Sequence, residues 1–93
     1  MTAQTQRTPA PDPRDPISYQ LSPIRFEQQS IQVRLSVRWA DGAWRGRLAF
    51  LQESGALERE TAEIFRADSA QELWQSVSDL REHHVRDLYR SLI

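Results

Sequence analysis

The stretch Ile31–Leu51, IQVRLSVRWADGAWRGRLAFL, decides the fold of this chain. In its first half, every odd-numbered residue from Ile31 to Trp39 is apolar, and the even-numbered residues between them are polar. After Asp41-Gly42 the apolar positions move to even numbers, beginning at Trp44. Strict alternation of this kind is typical of a β-strand with one buried face. The stretch therefore predicts two neighbouring strands that share one apolar face.

The Asp41-Gly42 dipeptide predicts that these two strands form a hairpin. Both central residues of a type I′ turn have positive φ, and Asp-Gly is one of the pairs that adopt this geometry most readily. A two-residue loop places Ala40 opposite Ala43, and the other pairs follow by counting. The predicted pairs on the apolar face are Trp39–Trp44, Val37–Gly46, Leu35–Leu48 and Val33–Phe50. Because Gly46 leaves a gap on this face, we expect a bulky side chain from a helix or a tryptophan to fill it.

A further strand is predicted before the hairpin. In Ser22–Gln28 the apolar Ile24 and Phe26 alternate with charged residues, and Pro23 favours a position at the sheet edge. A turn at Gln29-Ser30 would then give the pairs Phe26–Val33 and Ile24–Leu35. The preceding residues 17–21 alternate over too short a run to decide whether they form a strand.

The last strand is predicted over Leu57–Arg66, and two registers are open for it. A three-residue loop with Gly55 in the left-handed conformation puts Ala62 and Ile64 on the apolar face, with Glu63 opposite Arg45 on the other face. A two-residue loop puts Phe65 on the apolar face, but it also brings Glu63 and Arg59 inside. We prefer the first register because it buries no charged residue.

A long helix is predicted after this strand. Ser69 and Glu72 have the spacing of a capping box, which marks the start of a helix at Ala70. The helix is expected to run to about Leu92 with an apolar stripe at helical spacing. The stripe contains Ala70, Leu73, Trp74, Val77, Leu80, Val85, Leu88 and Leu92, with Arg81 and His84 inside the same arc. Because such a helix is longer than the strands, we expect Tyr89, Leu92 and Ile93 to overhang the sheet.

Together these elements predict an α+β fold with two layers, a four-stranded antiparallel meander and one long C-terminal helix on its apolar face (ββββα). The 93 residues are expected to divide into a disordered, proline-rich N-terminal arm over 1–16 and a single α+β domain over 17–93. The chain has no cysteine, which excludes a disulfide framework and a thiolate zinc site. The absence of cysteine and of a long apolar run leads us to expect a cytoplasmic protein with no membrane partner.

The face opposite the apolar one is expected to display four arginines. They are Arg34, Arg38, Arg45 and Arg47. Because the hairpin register puts Arg38 opposite Arg45, the pair is unfavourable unless an anion lies between them. One interpretation is a site for nucleic-acid phosphate or an acidic protein segment. The other is a solvated face whose arginines pair with Glu27, Glu60 and Glu63, which agrees with a net charge of −1.

No pattern in the sequence predicts catalysis, a cofactor site or a small-molecule substrate. A nucleophile with a base, a carboxylate pair and a phosphate-binding glycine loop are all missing. His83 and His84 are adjacent on the predicted helix and diverge by about 100°, so they do not predict a metal site. We expect a protein-interaction module that is an accessory or regulatory subunit, binding a second copy or another protein, with Tyr89 and Arg90 as further candidate contacts. The alternative is a nucleic-acid-binding module that uses the four arginines.

Overall fold

The computed structural model describes residues 15–53, 55 and 58–93. Its strands are β1 (Ile17–Phe26), β2 (Gln29–Ala40), β3 (Ala43–Gln52), β4 (Arg59–Glu60) and β5 (Phe65–Ala67), and its helices are α1 (Ala70–Ser78) and α2 (Glu82–Arg90). The sheet is antiparallel, with the order β1-β2-β3-β4, and β5 also pairs with β3. The α+β class and the antiparallel meander are confirmed. The predicted arm lies outside the described residues except for Asp15 and Pro16.

The central hairpin has the predicted register. Asp41 and Gly42 have φ values of 52° and 77°, as a type I′ turn requires. Ala40 lies opposite Ala43, and every pair predicted from Trp39–Trp44 to Val33–Phe50 is present. The two tryptophan rings meet edge to face, with their centroids 5.9 Å apart.

The gap at Gly46 is filled by a helix side chain, as predicted. A Cβ atom at this position would lie 2.8 Å from Cδ2 of Leu73, which belongs to α1, and 3.2 Å from Cδ1 of Leu35. Leu73 is 1% exposed and Leu35 is fully buried. The missing side chain of Gly46 therefore lets α1 approach the sheet closely.

The first hairpin differs from the prediction. Its turn is Glu27-Gln28, and both residues have positive φ, 49° and 68°. Consequently the expected Phe26–Val33 and Ile24–Leu35 pairs are wrong: Phe26 lies opposite Gln29 and Ile24 opposite Ile31. The strand also begins earlier than predicted, at Ile17.

A bulge interrupts β1 at Ser22-Pro23. Leu21 lies opposite Val33 while Ile24 lies opposite Ile31, so two residues of β1 oppose one residue of β2. The strand order puts β1 at the sheet edge, which confirms the position expected from Pro23. Because of the bulge, apolar residues on both sides of it point to the helices.

The single long helix is replaced by two helices of nine residues each. Residues 79–81 break the helix, and Arg81 has extended backbone angles (φ −76°, ψ 154°). A continuous helix in the phase of α1 would turn Arg81 and His84 toward the core. The break instead brings Val85 and Tyr89 of α2 onto the sheet, where they are 9% and 1% exposed. Within the described residues, no helix is long and apolar enough to span a bilayer.

The last strand is divided, and the preferred register is wrong. Phe65 lies opposite Gly46 on the apolar face, whereas Ile64 is 51% exposed. Between β4 and β5 the hydroxyl of Thr61 accepts the N–H of Leu48 (3.0 Å), and the N–H of Ile64 bonds the carbonyl of Ala62 (2.8 Å). This local turn shifts the register by two residues, so that the strand can bury Phe65 without burying Glu63.

Arg59, the other charged residue that the rejected register brought inside, lies at the end of the apolar face. Its guanidinium donates to the carbonyl oxygen of Leu92 at 3.1 Å, just beyond the last turn of α2. Arg59 therefore remains exposed and caps a carbonyl that the end of the helix would otherwise leave open.

The core lies between the sheet and the two helices. Its buried members include Ile24, Ile31, Val33, Leu35, Val37, Leu48, Phe50, Leu73, Val77 and Tyr89. The N-terminus of α1 is capped by Ser69, whose Oγ accepts the N–H of Glu72 at 3.1 Å, as the sequence predicts. The sheet face on the other side is left open, and it carries the four predicted arginines.

Candidate functional site

The four arginines share the open sheet face, which we call the arginine face. Arg38 and Arg47 are exposed, and Arg34 and Arg45 are half-buried. Arg38 lies directly opposite Arg45, as predicted. The sequence therefore places the four arginines correctly, and their partners decide what this face can bind.

Each of the four guanidinium groups has a carboxylate partner within the chain. The pairs are Arg34–Glu58 at 2.6 Å, Arg38–Glu63 at 2.5 Å, Arg45–Asp41 at 4.0 Å and Arg47–Glu60 at 3.5 Å. Three of the carboxylates come from the segment 58–63, on the far side of β3 from the β2 arginines. Their ion pairs therefore run across the sheet, and a phosphate at this face would compete with them.

Glu63 supplies the anion that the Arg38–Arg45 contact requires. It binds Arg38 through two hydrogen bonds, from Nε at 2.5 Å and from Nη2 at 2.7 Å. These bonds, with the nearby charges of Arg45 and Arg47, hold the pKa of the Glu63 carboxyl below its usual value. The same contact raises the pKa of Arg38. The like-charge pair is thus neutralised from within the chain.

Tyr89 and Arg90, the two candidate partner contacts in α2, differ in their exposure. Tyr89 is 1% exposed, so the expectation that it overhangs the sheet is wrong. Its ring packs against Phe26 and Phe50, each at a centroid distance of 5.2 Å, and its hydroxyl accepts from Gln52 at 2.9 Å. Arg90 is exposed; it pairs with Asp87 at 2.9 Å and lies over the ring of Phe26. The helix break explains the difference, because it folds the last helix back onto the sheet.

The two histidines stay exposed on α2. Their ring centroids are 4.0 Å apart, and His84, which was predicted inside the arc of the apolar stripe, is at the surface. Among the residues that the structure describes, no group of three or more His, Cys, Asp or Glu side chains could hold a metal ion.

A cleft of about 310 Å³ lies where the bulge in β1 faces the break between the helices. Ser22 and Pro23 line one wall, and Trp74, Ser78 and Leu80 line the other. Trp74 also contacts Tyr19, with the ring centroids 6.1 Å apart. The hydroxyl of Ser78 already donates to the carbonyl of Gln75 at 3.0 Å. The lining of the cleft is therefore mixed, because Gln20 and Glu82 contribute polar groups beside the apolar side chains.

An apolar groove of about 370 Å³ lies between β5 and α2. We call it the Ile64 groove, and it is lined by Ile64, Phe65, Leu80, His84, Asp87, Leu88 and Ser91. Phe65, Leu80 and Leu88 are half-buried, while Ile64 is 51% exposed. His84 and Asp87 are the charged or titratable residues of its lining. The groove exists because the helix break swings α2 beside the divided last strand.

Ile64 is exposed at a position where the backbone is held on both sides. Before it, the N–H of Thr61 bonds the carbonyl of Leu48 at 2.9 Å; after it, Phe65 pairs with Gly46. Sequence reasoning missed this residue by assigning it to the core. The adjacent pair Ile64-Phe65 was the available signal, because two neighbouring residues of a strand cannot both face the same side.

A comparison of the chain with protein-family models, with curated proteins and with solved structures found no match.

Proposed function

We propose that this chain is a non-catalytic protein-interaction module, an accessory or regulatory subunit that binds a protein partner in the Ile64 groove. The observation that carries the proposal is the exposure of Ile64 beside three half-buried apolar side chains, Phe65, Leu80 and Leu88. A contiguous apolar patch on a small domain is typical of an interaction site.

The backbone around Ile64 makes its exposure a property of the folded chain. Thr61 is 6% exposed and satisfies both backbone groups of Leu48, through its hydroxyl and its own N–H. Glu63, one residue before Ile64, is held by Arg38. Because these neighbours are anchored, Ile64 can be offered to a partner with little additional loss of conformational entropy.

The lining of the groove indicates the chemistry of the partner. Four of its lining residues are apolar, and His84, Asp87 and Ser91 add polar groups. A partner that inserts one or two apolar side chains would match it, and a basic group of that partner would share Asp87 with Arg90, which pairs with Asp87 at 2.9 Å. Burying the exposed part of Ile64 and the half-exposed leucines would supply the main driving force.

The test compares Ile64→Glu with Ile93→Glu, a matched control because Ile93 is also exposed, at 56%. Both variants should unfold at the wild-type midpoint, which shows that the fold is kept. In quantitative capture from the source cells, we expect a defined protein to bind wild type and Ile93→Glu but to be lost with Ile64→Glu. Equal loss with both variants, or no protein that distinguishes them, would refute the proposed site.

Nucleic-acid binding through the arginine face stays an untested alternative. The carboxylate partners of all four arginines argue against it, since each phosphate contact would have to displace an ion pair. If it holds, affinity must fall steeply with added salt and must vanish when the four arginines become alanine.

A further inference from the structure

The free edge of β1 is protected over one half of its length and open over the other. In the half from Ser22 to Phe26, the bulge distorts the strand and Pro23 offers no N–H. Nε of Arg86 in α2 also donates to the carbonyl oxygen of Arg25 at 2.9 Å. Bulges, prolines and covering side chains are the devices by which proteins block strand pairing at a sheet edge. Among the residues that the structure describes, none of these devices acts on Ile17–Leu21.

The direction of the backbone groups in Ile17–Leu21 follows from the register. Residues that flank a two-residue turn form a hydrogen-bonded pair, so Gln29 and every second residue after it direct their backbone toward β1. Val33 fits this rule, since its carbonyl accepts from the side chain of Gln20 at 3.2 Å. Tyr19 therefore bonds inward to β2, and the N–H and C=O groups of Ser18 and Gln20 point outward. Among the described residues, no strand pairs with this outer edge.

We propose that a second copy of this chain occupies the open edge, with the two Ile17–Leu21 segments paired antiparallel about a two-fold axis at Tyr19. Ser18 of each copy then lies opposite Gln20 of the other, and their outward groups form four backbone hydrogen bonds. This edge lies at the other end of the strand order from the Ile64 groove, so the inference goes beyond the proposed function and does not depend on it.

The side chains of the segment are complementary to themselves in this register. On the helix side, Ile17 meets Leu21 of the second copy and Tyr19 meets Tyr19; all three are half-buried in the single chain. Trp74, 6.1 Å from Tyr19, extends this apolar layer. The two sheets thus continue as one, with their apolar faces on the same side.

The charges also suit a second copy. Ile17–Leu21 carries no charged residue, so pairing it with itself opposes no like charges.

The first test is the oligomeric state, measured by analytical ultracentrifugation from micromolar to millimolar protein. We expect a concentration-dependent dimer. Ser18→Pro removes the outward donor but keeps the bonds of β1 to β2, and it should weaken the dimer by about tenfold or more. Ser18→Val keeps the N–H and should dimerise like wild type. A monomer throughout the series, or a dimer that Ser18→Pro leaves unchanged, would overturn the inference.

The second test uses the absence of cysteine to read the register. In Tyr19→Cys the two thiols face each other across the axis, at a Cα separation of about 4.5 Å that suits a disulfide. In the control Ile17→Cys the thiols are offset by four residues, about 13 Å. Mild oxidation should cross-link the first variant only. Equal cross-linking of both would refute the register, and a dimer abolished by Ile64→Glu but not by Ser18→Pro would move self-association to the groove.

Discussion

Replacing Gly46 by alanine tests the close approach of α1 to the sheet. The added Cβ would lie 2.8 Å from Cδ2 and 3.3 Å from Cδ1 of Leu73, and 3.2 Å from Cδ1 of Leu35. All three atoms are side-chain methyl groups in a core where both leucines are almost fully buried. They can move only by displacing other core atoms, so the substitution overpacks the core.

The size of the effect follows from two opposing contributions. Overpacking of a well-packed core costs about 1–3 kcal/mol. Alanine is favoured over glycine in a strand by about 0.5–1 kcal/mol because the unfolded chain loses less entropy on folding. We therefore expect Gly46→Ala to lower the free energy of unfolding by up to about 2.5 kcal/mol.

Truncating Leu73 should remove or reverse the destabilising effect of Gly46→Ala. Leu73→Ala alone should cost about 2–5 kcal/mol, because it removes a buried isobutyl group and leaves a cavity. In that background a methyl group added at position 46 has room, so Gly46→Ala should be neutral or stabilising. The coupling between the two substitutions should then reach about 1–3 kcal/mol.

Urea unfolding followed by tryptophan fluorescence measures all four members of this cycle. The slope of the free energy against urea should stay the same across the set, so that the midpoints report stability. If Gly46→Ala stabilises the otherwise unchanged protein, or costs the same with alanine at position 73, then α1 does not approach the sheet at this glycine and the packing argument fails.

Three further changes test the contacts that position the last strand and the first helix. Thr61→Val leaves the buried N–H of Leu48 without its acceptor and should destabilise by about 1–3 kcal/mol in urea unfolding. Glu63→Gln should destabilise at neutral pH. The difference in free energy of unfolding between this variant and wild type should shrink as the pH falls below about 4.3. Folding lowers the pKa of the Glu63 carboxyl, so the carboxylate stabilises the fold above its unfolded pKa, and this stabilisation is lost when the carboxyl is protonated. Ser69→Ala removes the cap of α1 and should cost about 0.5–2 kcal/mol by thermal unfolding.

Each of these changes has a control. Thr61→Ser keeps the hydroxyl and should retain most of the stability, so equal losses for Ser and Val would exclude the hydrogen bond as the cause. Arg38→Gln should abolish the same pH dependence as Glu63→Gln; if it does not, the two groups are not coupled. Ser69→Asp can also cap the helix and should match wild type, and a loss as large as that for alanine would contradict the capping role.

The hairpin could be predicted because two independent signals agree. The alternation sets which residues share a face, and Asp41-Gly42 sets the turn, so each checks the other. The first hairpin lacked the second signal. Its turn residues, Glu27 and Gln28, adopt positive φ although neither belongs to the residue types that favour it. The bulge in β1 also adds a residue, so the pairing of β1 with β2 cannot be obtained by counting back from the turn.

The helix break could not be located from local signals, because neither glycine nor proline occurs near it. The sequence did contain one sign of the break. A single apolar stripe along a continuous helix would turn the polar Arg81 and His84 toward the core and would leave out Tyr89. The protein resolves this conflict by ending α1 at Ser78 and starting α2 at Glu82. A stripe that includes charged residues is therefore a sign that the helix changes direction.

The candidate surfaces also depend on tertiary contacts that local sequence patterns do not reveal. Alternation alone places the four arginines on one face, but their partners come from a segment that reaches across β3, which local patterns do not reveal. The Ile64 groove depends on both unpredicted features, the helix break and the divided last strand. It could not have been found before the tertiary structure was known.

Site-specific photo-crosslinking from position 64 in living source cells tests the central claim most directly. A photoreactive residue replaces Ile64 in one variant and Ile93, similarly exposed, in the other. If the groove docks a protein partner, position 64 cross-links to a defined protein other than this chain and position 93 does not. No such product from position 64, or the same products from both positions, would contradict the account.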